Sequence, residues 1–130
     1  MKTKTILIVD DEQNLLDVIA EGLIEALPDS EIIKALGVEQ AKAAATATPI
    51  DIVVCDYYMQ DGTWREVIAD IKRANPKAAF AICSGSIFEK GLLINLVDGG
   101  VDCTFLKPVN YVALAEFIQD ALSDKINVAA

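Results

Sequence analysis

Histidine is missing from this 130-residue chain. Without an imidazole there is no Ser-His-Asp or Cys-His arrangement, no His-bearing zinc site and no phosphohistidine formed on the chain itself. Cysteine is scarce: Cys55, Cys83 and Cys103 stand far apart and form no CxxC pair. An odd, scattered set reads as the reduced thiols of an intracellular protein, small core residues rather than a disulfide or metal framework. Positive charge is short as well. Lys and Arg number 11 against 20 Asp and Glu, a net charge of −9 with no visible basic patch, which disfavours direct binding of nucleic acid. No apolar stretch approaches the ~18 residues of a membrane span. The run Ile6–Val9 behind Lys2 and Lys4 stops at Asp10-Asp11, too short for a signal peptide. These absences predict a cytoplasmic protein with no membrane segment.

What is present is a core. Hydrophobic residues make up 53% of the chain, enough for one domain of this length to fold without staples. Short apolar runs alternate five times with longer amphipathic ones. The runs Thr5–Asp10, Glu31–Leu36, Ile50–Cys55, Ala78–Cys83 and Val101–Leu106 read as strands. Between and after them, helices are expected over Glu12–Leu27, Val38–Thr48, Thr63–Ala74, Phe88–Val97 and Asn110–Leu122, punctuated by Pro28, Pro49, Asn75-Pro76 and Gly99-Gly100. The runs ILIV, IVVC and AFAIC are apolar on both sides, so both sheet faces are covered and the strands are parallel. Five βα units give an α/β, doubly wound flavodoxin-like sheet, whose common order is 2-1-3-4-5. One domain over 1–123 and a frayed tail over 124–130 are expected.

Ligands of such a sheet bind beyond the carboxyl ends of the strands, near the point where the winding reverses. The residues at those ends are Asp10-Asp11, Asp56, Ser84 and Lys107. Three carboxylates close together repel one another unless a cation stands between them, and a hard divalent ion such as Mg²⁺ suits an all-oxygen site. With Asp10 and Asp11 on the ion, Asp56 is free to attack phosphorus and form an aspartyl phosphate. Lys107 and the Ser84 hydroxyl would then compensate the phosphoryl oxygens. Blander readings stand beside these: Asp10-Asp11 also suits a turn and helix cap, and Lys107-Pro108 a solvated loop lysine before a helix.

The ordered set of Asp10-Asp11, Asp56 followed by Met59, Ser84-Gly85 and Lys107-Pro108 resembles the receiver domain of two-component response regulators, the CheY-like family. The resemblance runs from about residue 3 to residue 122. It implies that Asp56 takes phosphate from a phosphohistidine on a sensor histidine kinase or a histidine phosphotransfer protein. It implies Mg²⁺ on Asp10 or Asp11, Asp56 and the backbone carbonyl of Tyr58, with Ser84 and Lys107 on the phosphoryl group. It implies a switch that catalyses only its own phosphorylation and dephosphorylation. It also implies a possible homodimer through the fourth helix, fifth strand and fifth helix, where Val112 and Phe117 lie off the main apolar stripe.

The chain departs from the family pattern at three places. Gln60 stands where a Pro is usual, and Gly62 comes two residues early, so the loop after Asp56 is short. Thr104 occupies the position of an aromatic residue that swings inward on phosphorylation, while Phe105 should face the other side of its strand. These departures favour, as an alternative, a docking module that works without phosphate. A further alternative, a small phosphohydrolase using Asp56, would need a general acid, and the loop offers Asp61. Tyr58, two residues past the acceptor, is expected to shield an acyl phosphate from water.

Overall fold

A computed structural model describes residues 4–85 and 99–123. The helix expected over 88–97 and the tail over 124–130 lie outside the described residues. Five strands, β1 (Lys4–Val9), β2 (Ser30–Ala35), β3 (Ile52–Asp56), β6 (Ala79–Ser84) and β7 (Cys103–Leu106), form one parallel sheet in the order β2-β1-β3-β6-β7. This is the expected 2-1-3-4-5 order, with β7 and β2 at the edges. An antiparallel hairpin of two-residue strands, β4 (Tyr58–Met59) and β5 (Gly62–Thr63), stands apart from it. The sequence predicts only a loop there.

The apolar runs divide by parity between two cores. Leu7, Val9, Val53, Cys55, Phe80 and Ile82 face one way, under α2 (Val38–Ala47) and α3 (Trp64–Ala74). Ile6, Ile8, Ile52, Val54, Ala81 and Cys83 face the other, under α1 (Gln13–Ala26) and α4 (Tyr111–Leu122). Register holds the layers together: Leu7 pairs with Ile33 and Val53, and Val53 with Phe80. Burying Phe80 completely is worth roughly 2–3 kcal/mol, so shifting any strand by one residue would forfeit several such terms.

Helix ends follow local chemistry in part. α3 carries Glu66 in its first turn and Lys72 and Arg73 in its last, in line with the helix dipole. Asn110 caps α4, its Oδ1 accepting from Val112 N at 3.0 Å and Ala113 N at 3.2 Å. Trp64 is buried at the start of α3 with the Arg65 guanidinium 4.6 Å from its ring centroid, a packing residue as expected. Two aspartates extend the ladder at the opposite end of the sheet. Asp51 Oδ2 accepts from Thr5 N and Asp102 Oδ2 from Phe80 N, each at 2.8 Å. They satisfy amides that would otherwise be buried without partners. The strands therefore end in order, and their carboxyl tips share one rim.

Candidate functional site

β1 ends at Val9, so Asp10 is the first residue off a strand that lies between β2 and β3. Its amide donates to Ala35 O at 3.1 Å, which holds it against β2, and its side chain is only 4% exposed. One oxygen, Oδ1, accepts from Glu12 N at 2.9 Å and steadies the entry to α1. The other, Oδ2, lies 2.9 Å from Lys107 Nζ. The turn role and the acidic-site role thus belong to the same side chain, one oxygen each.

Asp56 closes β3. Its Oδ1 accepts from Tyr57 N at 2.9 Å, and Oδ2 is 3.2 Å from Lys107 Nζ. Lys107, just past β7, therefore bridges Asp10 and Asp56 with its side chain 19% exposed; it is not a solvated loop lysine. Its amide donates to Ser84 O at 2.8 Å, which brings the end of β6 to the same rim. The Lys107-Pro108 peptide is cis.

Charge is unevenly tolerated here. Burial pushes the Asp56 carboxyl above its ordinary value; the Lys107 ammonium opposes this and the Asp10 carboxylate adds to it. Burial alone would lower Lys107, but the hydrogen bond to Asp10 and the attraction of both carboxylates outweigh it, and the ammonium is held above its usual range. The two shifts are consistent: one cation faces two anions, so the cation gains where each anion is short of partners.

Asp11 is exposed at the mouth. One oxygen each of Asp10, Asp11 and Asp56 lie within 4.8 Å of one another, the arrangement among the described residues that suits a metal ion. All three donors are hard oxygens, and three carboxylates beside one ammonium leave two negative charges. The donor set fits a hydrated divalent cation such as Mg²⁺.

Beyond Asp56 the hairpin carries Tyr58, its side chain exposed and edge-on to Tyr57 at 4.5 Å between centroids. Asp61, the candidate general acid of a phosphohydrolase, is turned away. Both its oxygens accept backbone amides of α2, from Val38 N and Glu39 N, and these bonds hold its carboxyl below the ordinary value. A group held ionised in this way is a poor proton donor. No local signal reveals this contact, because donor and acceptor are 22 and 23 residues apart.

Thr104 pairs in register with Ile82, which belongs to the α2–α3 core. Phe105 packs in the α1–α4 core with its ring 6.2 Å from that of Phe117. Phe105 thus faces away from the side Thr104 occupies, and Phe117 is a packing partner, whereas Val112 stays exposed. Cys55 and Cys83 are core groups, and burial pushes the first thiol well up and the second to about 12; Cys103 is half-buried, and burial raises it too. None is a ready nucleophile.

A sequence model of the response regulator receiver domain matches residues 6–119. No curated relative matches the chain. Among solved structures, a CheY-like receiver domain protein from Methanospirillum hungatei superposes with a TM-score of 0.84 at 22% identity, covering 97% of this chain and 98% of that one. A two-component response regulator from Clostridium difficile gives 0.83 at 20% identity, covering 93% and 97%. A receiver domain protein from Clostridium thermocellum gives 0.79 at 25% identity, covering 96% and 98%.

Proposed function

This chain belongs to the response regulator receiver domain family, and on that premise we propose that Asp56 is the phosphoacceptor of a two-component phosphorelay. Members of the family are signalling modules that interact with histidine kinases and phosphotransfer proteins. The observation that carries the reading is the bridge of Lys107 between Asp10 and Asp56. A half-buried ammonium held 3.2 Å from one carboxylate oxygen is a preformed countercharge for a group arriving on that oxygen.

Asp10, Asp11, Asp56 and the Tyr58 carbonyl would hold Mg²⁺, which when bound supplies positive charge beside the phosphoryl oxygens. The donor is a phosphohistidine on a sensor histidine kinase or histidine phosphotransfer protein, since the chain has no imidazole of its own. An Asp56 oxygen attacks phosphorus; the new O–P bond forms as the N–P bond breaks, and its electron pair returns to the donor ring. Lys107 and Ser84 bind the transferred group. Water later cleaves the acyl phosphate to phosphate and the Asp56 carboxylate, so the chemistry is confined to this chain's own modification. The domain spans 1–123 with 124–130 as a tail, and it works in the cytoplasm. Exposed Leu106 and Val112 support a homodimer contact on the side of β7 and α4.

Thr104 favours a second reading, a docking module that does not respond to phosphate. The engagement of Asp61 with α2 argues against a phosphohydrolase. Incubation with acetyl phosphate and Mg²⁺, read by intact mass, tests the acceptor. A gain of one phosphoryl group in the native protein and none in Asp56→Asn is expected; an unlabelled native protein supports the docking module.

A further inference from the structure

α2 starts without a cap of its own. Its N-cap residue, Gly37, has no side chain, and the amides of Val38 and Glu39 would face the rim without partners. They bond instead to Asp61, whose Oδ1 accepts from Val38 N at 2.8 Å and Oδ2 from Glu39 N at 3.1 Å. An anion there also meets the positive end of the helix dipole. Gly37 is what admits it, because a Cβ at that position would stand 2.5 Å from Asp61 Oδ1. Neighbouring Gly62 is crowded too: with φ +156, its Cβ would meet Glu66 Oε1 at 2.7 Å and Val38 Cγ2 at 2.8 Å.

The hairpin so attached is the one that follows Asp56 directly and carries Tyr58. Two-residue strands do not hold themselves in place. Its own ladder, the aromatic packing of Tyr57, Tyr58 and Trp64, Met59 buried in the α2–α3 core and the Tyr57 N–Cys83 O bond hold one side of it, and the Asp61 carboxylate ties its turn to the start of α2 by hydrogen bonds. We propose that Asp61 is a positioning residue for phosphoryl transfer: clamped on Val38 and Glu39, it fixes the hairpin relative to Asp56 and thereby sets the Tyr58 carbonyl for Mg²⁺. The inference rests on Asp56 as the acceptor and adds a residue that touches neither metal nor phosphate. The short loop is then an adaptation, since the early Gly62 lets the residue before it reach α2.

The test is a Mg²⁺ titration followed by the fluorescence of Trp64, the chain's single tryptophan, whose ring lies 6.3 Å from that of Tyr57. Labelling by acetyl phosphate is timed in parallel at low and saturating Mg²⁺. Asp61→Ala is expected to weaken Mg²⁺ binding by about tenfold, the scale of other residues that orient a ligand from behind. Labelling should recover at saturating Mg²⁺. Gly37→Ala should weaken binding similarly, and the double variant should be no worse than either single one, because both break one clamp. Asn110→Ala, which uncaps α4 locally, should lower the melting temperature and leave the titration unmoved. Native Mg²⁺ binding in Asp61→Ala and Gly37→Ala, or strictly additive losses, overturns the positioning role even if Asp56→Asn still abolishes labelling. An unlabelled native protein overturns the acceptor reading instead, and the titration still decides the clamp. Should Asp61→Ala fail to fold, Gly37→Ala and Asp61→Asn carry the same comparison.

Discussion

The tip of β3 and the hairpin beyond it treat a carboxylate in opposite ways. Asp56, 14% exposed, has one oxygen on its neighbour's amide and the other facing an ammonium it shares with Asp10. Burial makes its charge costly, and its carboxyl is raised. Five residues later Asp61 stands in solvent with both oxygens on helix amides, and its carboxyl is lowered. The first is a half-buried charge whose one cation is divided between two carboxylates, which suits the proposed nucleophile. The second is fully engaged and unreactive. Residue type is the same in both places, and each carboxylate meets two donors; burial, and an ammonium shared with a second carboxylate, set Asp56 apart from Asp61.

The largest expected effect comes from removing the shared cation. Lys107→Met keeps the apolar stem but leaves Asp10 and Asp56 facing each other, and should cost about 3 kcal/mol at neutral pH. A urea midpoint shift with unchanged slope would show it. A loss of under about 0.5 kcal/mol would mean that the rim behaves like an exposed ion pair, and the contrast with Asp61 would dissolve.

Next in size are two opposite pH dependences, measured without Mg²⁺. A carboxyl raised on folding stabilises below its unfolded value, near 3.8, and loses that contribution as pH rises through the folded one. A lowered carboxyl stabilises above that value and loses its contribution as pH falls through the folded one. Asp56→Asn should therefore melt a few degrees above the native protein near neutral pH, with the gap closing in acid. Asp61→Asn should melt below it near neutral pH and converge in acid. Two curves of the same sign would refute the distinction.

The smallest effect concerns the residue between them. Tyr58, 66% exposed, stands in the chain between Asp56 and Asp61. Tyr58→Ala should shorten the phosphoryl half-life several-fold by admitting water, with little change in labelling rate. An unchanged half-life would remove the shielding role and leave the hairpin only its backbone contribution.

The sheet was legible because ILIV, IVVC and AFAIC are apolar on both sides, and their order followed from covering two faces with right-handed crossovers. Boundaries moved by a residue or two, the most at β3, which begins at Ile52 rather than Ile50, and at β7, which begins at Cys103 rather than Val101. Asp10, Asp11, Asp56 and Lys107 were legible as strand-end residues, although Lys107 next to proline looks solvated in isolation. The hairpin was not legible, since two residues cannot display a period. Asn110 shows its cap within three residues, but the Asp61 cap depends on where two loops meet after the sheet has formed. Asp51 and Asp102 were invisible for the same reason: their partners are amides of adjacent strands.

β7 is an edge strand and the last of the sheet to leave the ribosome. Asp10 and Asp56 are synthesised well before it, and the ammonium that bridges them arrives 97 residues after Asp10. A nascent chain stalled before Lys107 would therefore carry the acidic tip without its countercharge, and docking of the final strand would be the event that seals the rim.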